Sequence, residues 1–310
     1  MTYDVNECPP LGKWIVLALQ HVFAKFGATI LVPILVNAAA GEVVLTIPVA
    51  LVTSGIGTLI YLLCTKGKSP VYLGSSFAFI TPIAAAFLKG GISGAMTGIM
   101  AVGILYIIVA LIIKFVGKDW LDKLLPPVVI GPMIMIIGLG LAPSAISQIG
   151  IAAGSAMEWK TVLVAFVSFL VTAIVMTKAK GFFKVIPFLF GIISGYVVAL
   201  MLGMIDFSAV GEAKFFAMPN FMLPFVDYKI SFTALVTILP IALVTICEHT
   251  GDHQNLGNII GRDLLTDEPG MSRTLIGDGV GTAISGVLCG AANTTYGESV
   301  AVVGTTKVAS

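Results

Sequence analysis

Long apolar runs separated by short polar connections dominate this chain, and their spacing predicts a bundle of membrane-crossing helices. A helix needs about 20 predominantly apolar residues to cross the hydrocarbon core of a bilayer. Runs of that order fall at residues 13–37, 43–64, 71–88, 92–116, 126–149, 159–177, 183–205, 230–258, 275–290 and from 298 onward. Two stretches break the pattern. Residues 71–88 open with Gly74, Ser75 and Ser76 and alternate Phe77 with Phe79 before Pro82, and residues 291–298 read AANTTYGE. Each reads as a short extended segment leading into a half-length helix. Non-helical backbone at membrane depth persists only where protein or a cavity surrounds it. Carriers built from inverted repeats place such broken helices at matching positions in their two halves, with the substrate between them.

That pairing sets the organisation. If 71–88 and 291–310 are equivalent third elements of two repeats, the second repeat begins near residue 230, with seven spans before it and three after, the last incomplete. The expectation is a fragment of a protein of some fourteen spans. Basic residues orient the spans, because cytoplasmic connections carry the excess of Lys and Arg. With the N-terminus inside, Lys13, Lys66, Lys68, Lys114, Lys118, Lys123, Lys178, Lys180, Lys184, Arg262 and Arg273 all fall on the inner side. Only Lys89, Lys160, Lys214 and Lys229 fall outside.

Composition strengthens the membrane reading. The chain is 57% hydrophobic and 11% charged, with a mean hydropathy of +1.04. Soluble domains carry about 25% charged residues. A net charge of +1 implies no nucleic-acid partner. The opening MTYDVNECPP lacks the basic start and small-residue cleavage site of a signal peptide, so the first apolar run is expected to be a retained span. Cys8, Cys64, Cys247 and Cys289 are scattered without metal-ligand spacing and read as free or buried thiols.

Two carboxylates then single themselves out. Glu248 follows residues 230–247, which contain no Asp, Glu, Lys or Arg, and Glu298 closes the small polar segment 291–297. A charged side chain at the centre of a membrane helix costs roughly 2.5–3.5 kcal/mol on insertion scales. Such groups persist when they face the protein interior, share a proton or hold a polar ligand. Within 245–258 (TICEHTGDHQNLGN), Thr245, Glu248, Asp252 and Asn255 share one helical face, with His249 and His253 on a neighbouring stripe. One reading is a proton relay around Glu248 and Asp252; for His253 and Asn255 the alternative is a helix leaving the membrane. A metal site is disfavoured, because no Glu follows the first His as a metalloprotease base would require, and no third ligand is evident. His21, with Gln20 beside it, either bonds a neighbouring helix or reaches the site. Lys25, one turn on, either meets a polar partner or extends to the interface.

This inventory suits a nucleobase. A pyrimidine offers a flat face and an edge of alternating N–H donors and C=O acceptors. A carboxylate can accept two N–H bonds, and charge-assisted bonds are the stronger kind. Free backbone N–H groups at broken helix ends suit the carbonyl oxygens, and Phe77 and Tyr296 can wall the ring. A carboxyl that carries a proton with the substrate would couple uptake to a proton gradient.

The residues LQHVFAKFGATILVP (19–33), YLGSSFAFITP (72–82), ILPIALVTICEHTGD (238–252) and NTTYGE (293–298) together resemble the nucleobase–cation symporter-2 (nucleobase–ascorbate transporter) family, of the bacterial uracil permease type. The resemblance runs the whole length. It implies an all-α polytopic fold of two inverted seven-helix repeats, with short antiparallel strands at mid-membrane in broken spans 3 and 10. It assigns 1–125 to a core domain, 126–229 to a gate domain and 230–310 to the second half of the core, with elevator-like transport. It places the substrate glutamates at Glu248 and Glu298, backbone donors at Phe77 and Gly297, and pocket-lining residues at Ala28 and Tyr296. Asp252 and His21 fall on proton-linked or further polar positions beside the two glutamates. Ser299 and Ala301 depart from the family's usual Asn and Gly after the second glutamate. The implied protein is not an enzyme and uses no cofactor beyond a co-transported proton, sodium being the alternative ion. Its partners are uracil or a related nucleobase, membrane lipid and, at full length, a second copy in a homodimer. Its place is the cytoplasmic membrane of a bacterium. Competing readings are a xanthine or purine permease of the same family and a sulfate-type anion transporter sharing the fold.

Overall fold

The computed structural model describes residues 3–309 except 125, 152–156, 181–182, 184–185 and 213–216. Lys184 and Lys214, used above to orient the chain, lie outside the described residues. In chain order the elements begin with α1 (Leu11–Ala40), α2 (Ile47–Thr65), strand β1 (Leu73–Ser75), a 3₁₀ turn (Phe77–Phe79) and α3 (Ile80–Val116). They continue with α4 (Asp119–Leu124), α5 (Pro127–Ile149), α6 (Trp159–Lys178), α7 (Pro187–Met201) and α8 (Ser208–Glu212). The chain closes with α9 (Leu235–Ile260), α10 (Gly270–Val287), β2 (Asn293–Thr295) and α11 (Gly297–Thr306). Six helices among the described residues, α1, α2, α3, α5, α6 and α9, are long and apolar enough to cross a bilayer.

The third and fourth expected spans are two helical segments that meet at a kink: the helical torsions of α3 are broken at Gly91 (φ 60°, ψ −162°), between residues 71–88 and 92–116. That backbone conformation is open to glycine because it has no Cβ to clash, so the direction changes without a loop. The seventh predicted span is shorter than expected, with α7 covering 15 residues.

The chain forms two compact units, one of Met1–Ile137 with Asn220–Ser310 and one of Gly138–Pro219. In the second, α6 and α7 pack closely because glycines meet small polar side chains: the hydroxyls of Thr172 and Ser168 lie where a Cβ on Gly191 or Gly195 would sit. The first unit carries the same element order twice. Two helices, a three-residue strand and a helix follow one another as α1–α2–β1–α3 and again as α9–α10–β2–α11.

The two strands pair antiparallel, with Leu73 opposite Thr295, Gly74 opposite Thr294 and Ser75 opposite Asn293. A further bond from Ser76 N–H to the Ala292 carbonyl (2.9 Å) extends the ladder. The short sheet satisfies backbone groups that the interrupted helices leave unpaired, the condition for such a break away from water. Around it, α10 packs against both α2 and α3. Its buried face carries Thr274, Asp278, Thr282 and Ser285 among glycines, which explains its low apolarity: it faces protein. The approach to α3 is backbone on backbone, since a Cβ at Gly103 would come within 2.4 Å of Gly279 O and Ala283 N. Asn37 closes the α1–α2 turn, accepting from Val44 and Leu45 N–H and donating to the Leu45 carbonyl.

Candidate functional site

The strand pair brings the ends of both broken segments to one place. β2 passes through Tyr296 into α11, whose first turn holds Gly297 and Glu298. β1 passes through Ser76 into the 3₁₀ turn that opens at Phe77. α9 runs alongside and contributes Glu248 and Asp252. Together Phe77, Glu248, Asp252, Thr294, Thr295, Tyr296, Gly297 and Glu298 line a cavity of about 320 Å³. That lies at the small end of ligand pockets, which span roughly 300–1,000 Å³.

The lining is acidic and hydroxylic, with no Lys or Arg among the described residues around it. Thr295 Oγ1 donates to Asp252 Oδ2 at 2.8 Å and fixes that carboxyl against β2. The Glu248 carboxyl and the Thr294 hydroxyl are buried and face one another within hydrogen-bonding reach. Buried polar groups are normally paired, and both lie on the cavity wall where polar groups of an occupant can meet them. Helix first turns leave backbone N–H groups unsatisfied, and that of α11 opens at Gly297, on the cavity wall.

Tyr296 is held from behind. Its hydroxyl donates to the Ser75 carbonyl at 2.8 Å, so at 3.3 Å the Thr29 hydroxyl is the donor to it. Its ring crosses the strand pair directly over Gly74: a Cβ there would lie 2.4 Å from Tyr296 Cζ. A file of rings runs outward from it, with Tyr72 edge-on at 6.0 Å and His21 edge-on to Tyr72 at 5.6 Å.

Six of the expected site residues, Phe77, Glu248, Asp252, Tyr296, Gly297 and Glu298, therefore share one cavity. Ala28 and His21 are not among its lining residues. The reason lies on α1, which reaches the site through the Thr29 hydroxyl and leaves His21 edge-on to Tyr72 with its Nδ1 unpartnered. Lys25 meets a polar partner, donating to Thr58 Oγ1 at 3.4 Å with its amine 5.6 Å from the Tyr72 ring centre. Of the polar face read on α9, Thr245 turns to the Tyr106 hydroxyl of α3 and Asn255 is exposed. Ser299, where the family usually has Asn, is buried and donates to the Pro70 carbonyl at 3.2 Å.

Sequence reasoning missed Asp278. It is fully buried on α10 with its Oδ2 3.0 Å from His249 Nδ1. The available signal was a lone acid within a predicted span, at helical spacing from Thr274 and Thr282.

A bundle of apolar helices enclosing two broken segments and a polar cavity defines an integral membrane permease. The comparisons agree. The sequence model of a permease family matches residues 12–310. The chain is 45% identical to the uracil permease of Bacillus caldolyticus and 44% identical to that of Bacillus subtilis (strain 168), over 98% of this chain and 69% of each relative. It is 40% identical to the uracil permease of Escherichia coli (strain K12), over 98% of this chain and 68% of that protein. Among solved structures, the transmembrane domain of the cyanobacterial bicarbonate transporter BicA superposes with a TM-score of 0.60 at 16% identity, covering 92% of this chain and 76% of that one. This likeness concerns the fold alone. The chain belongs to the permease family known as nucleobase–cation symporter-2.

Proposed function

We propose that this chain belongs to a carrier of uracil or a closely related nucleobase, moved into the cell across the cytoplasmic membrane together with protons. The observation that carries the reading is the convergence of Glu248 from α9 and Glu298 from α11 on one small cavity walled by Phe77 and Gly297. A carboxylate accepts the paired N–H groups of a pyrimidine edge, and such charge-assisted bonds are short and strong. The N–H groups at the start of α11 suit a ring carbonyl, and the Phe77 side chain suits its flat face. The similarity to uracil permeases of several bacteria supports the choice of base.

In this reading Glu248 and Glu298 bind substrate and exchange protons, and Asp252, tethered by Thr295, is the third proton-linked carboxyl. His21 acts at the far end of the ring file and Ala28 borders the pocket when the carrier is occupied. Residues 1–125 and 230–310 form the core, 126–229 the gate, and the core carries the substrate past the gate with the N-terminus on the cytoplasmic side. A xanthine or purine permease is the alternative within the family. An anion carrier of the sulfate type is disfavoured by the electrostatics, since an anion would enter a cavity lined by three carboxyls and no Lys or Arg.

Competition decides between them. Uptake of radiolabelled uracil into proteoliposomes, challenged by unlabelled uracil, xanthine and sulfate at two pH values, should be blocked by uracil and be faster with an inward proton gradient. Inhibition by xanthine but not uracil would transfer the assignment to the purine branch, and uptake indifferent to every base would end it.

A further inference from the structure

On the side of α9 facing α10 lies a second set of ionisable groups that the cavity does not use. His249 Nδ1 is 3.0 Å from Asp278 Oδ2, and its Nε2 is 3.0 Å from Thr274 Oγ1. The side chains of His249 and Asp278 are 0% and 1% exposed. Hydrogen counting restricts what this pair can be. Thr274 Oγ1 lies 3.0 Å from the Met271 carbonyl, which can only accept, so the single hydroxyl hydrogen of Thr274 goes there. Thr274 must then accept from His249 Nε2–H. His249 Nδ1 is left facing Asp278 Oδ2, and a contact of 3.0 Å between them needs a hydrogen.

The alternative has Thr274 donating to Nε2 and Nδ1–H donating to an Asp278 carboxylate. It leaves a net negative charge fully buried, with only the Thr282 hydroxyl beside His249 to meet it and no Lys or Arg paired to Asp278 among the described residues. An uncompensated buried charge is strongly destabilising. The neutral pair, Asp278 as the acid and His249 as its acceptor, avoids that cost.

The neighbouring groups are accounted for. On α9, His253 stacks on His249 at 4.2 Å. Its Nδ1 donates to the His249 carbonyl at 2.7 Å, so its Nε2 accepts from the Tyr61 hydroxyl of α2 at 2.6 Å, and Tyr61 in turn accepts from Ser69 at 2.8 Å. Both His253 nitrogens are thus committed in the neutral ring. Cys64 of α2, Tyr106 of α3 and Glu298 of α11 complete the titratable surroundings, and Glu248 and Asp252 lie within electrostatic reach of Asp278.

We propose that His249 and Asp278 form a buried one-proton dyad that titrates within the transport cycle, a proton store behind the substrate carboxylates. Transfer along the 3.0 Å contact breaks the Asp278 O–H bond and forms His249 Nδ1–H, with the pair neutral throughout. Passing the proton to an ionised Glu248 or Asp252 neutralises that acid and leaves Asp278 as the carboxylate in its place, and mutual repulsion disfavours ionisation of all three together. Interacting sites of this kind titrate as a set, so the dyad helps decide when the cavity acids can ionise and hold substrate.

The proposal rests on the proton-coupled reading above and is tested in the intact chain with Asp278→Asn, whose amide can still donate to His249 but carries no exchangeable acid proton. Equilibrium uracil binding at neutral pH should persist, while the pH midpoint of uptake moves by about one unit, a tenfold change in proton activity. His249→Gln should move it as well. Infrared spectroscopy should find a protonated-carboxyl stretch in the parent that disappears in Asp278→Asn. Superimposable pH profiles in both variants, or a carboxyl band indifferent to Asp278→Asn, would overturn the dyad. The infrared measurement needs no substrate, so a parent chain that binds no uracil sinks the nucleobase reading and leaves the dyad's own test standing.

Discussion

Replacing Gly74 by Ala tests whether the strand pair and the cavity are one mechanical unit. The new Cβ would lie 2.4, 2.6 and 2.7 Å from Tyr296 Cζ, Cε2 and Oη. Contact distances between carbons are about 3.5–4.0 Å, so the ring must retreat by about 1 Å. It has little room: Tyr296 is 3% exposed, anchored through its hydroxyl to Ser75 and Thr29, and packed edge-on against Tyr72. Overpacking a dense core costs about 1–3 kcal/mol, and losing the hydroxyl bond to Ser75 adds about 0.5–1.5 kcal/mol. Against this, the alanine restricts the unfolded chain and returns about 0.4–1 kcal/mol. Steric cost wins by about 0.5–4 kcal/mol on those ranges. Because Tyr296 precedes Gly297, a displaced ring disturbs the cavity wall as well as the fold. Thermal unfolding in detergent and equilibrium uracil binding should both weaken in Gly74→Ala. Tyr296→Ala should relieve the clash, so the double variant should be more stable than the sum of the single effects, a coupling that neighbours show and distant residues do not. A Gly74→Ala protein with parental melting and affinity would refute the account of the crossing.

Two further outcomes follow from the same structure. Glu248→Gln should abolish uracil binding, whereas Glu298→Gln should impair proton-driven uptake more than folding; unchanged uptake in both would remove the site assignment. Outside the membrane-spanning helices, Glu268 is held below its ordinary value of 4.5, chiefly by its hydrogen bond and charge interaction with Lys68, with Lys66 and Arg273 assisting. A depressed carboxyl contributes stability above its unfolded value that is lost as pH falls through the lower, folded one. The group is exposed, so the effect is small. Lys68→Met should reduce the acid sensitivity of melting below about pH 4.5 and leave melting at pH 7 nearly unchanged, and an identical acid profile would exclude the ion cluster as a contributor.

Much of the architecture is readable from residue order. The positions of the apolar runs, the polar interruptions at 72–76 and 291–296 and the acids Glu248 and Glu298 are local properties, and each maps onto an element of the structure. Other features are not local. Nothing in the sequence around Gly74 shows that its neighbour is Thr294 and that Tyr296 lies across it. The kink that divides α3 rests on one glycine's torsions, at Gly91, rather than on a polar loop. His249 read as part of a stripe beside the acids, but its partner Asp278 lies 29 residues on, across a helix interface.

The sequence by itself determined which segments favour lipid or protein over water, where helices must break and which residues carry ionisable chemistry, because burial preference and helical spacing act over a few neighbouring positions. Tertiary structure alone decided register and partnership: that β1 meets β2, that α1 reaches the site through Thr29 rather than Ala28, and that Asp278 faces His249. These contacts join residues far apart in the chain, and they form only where side-chain volumes, glycine clearances and hydrogen-bond donors from different segments fit together at once.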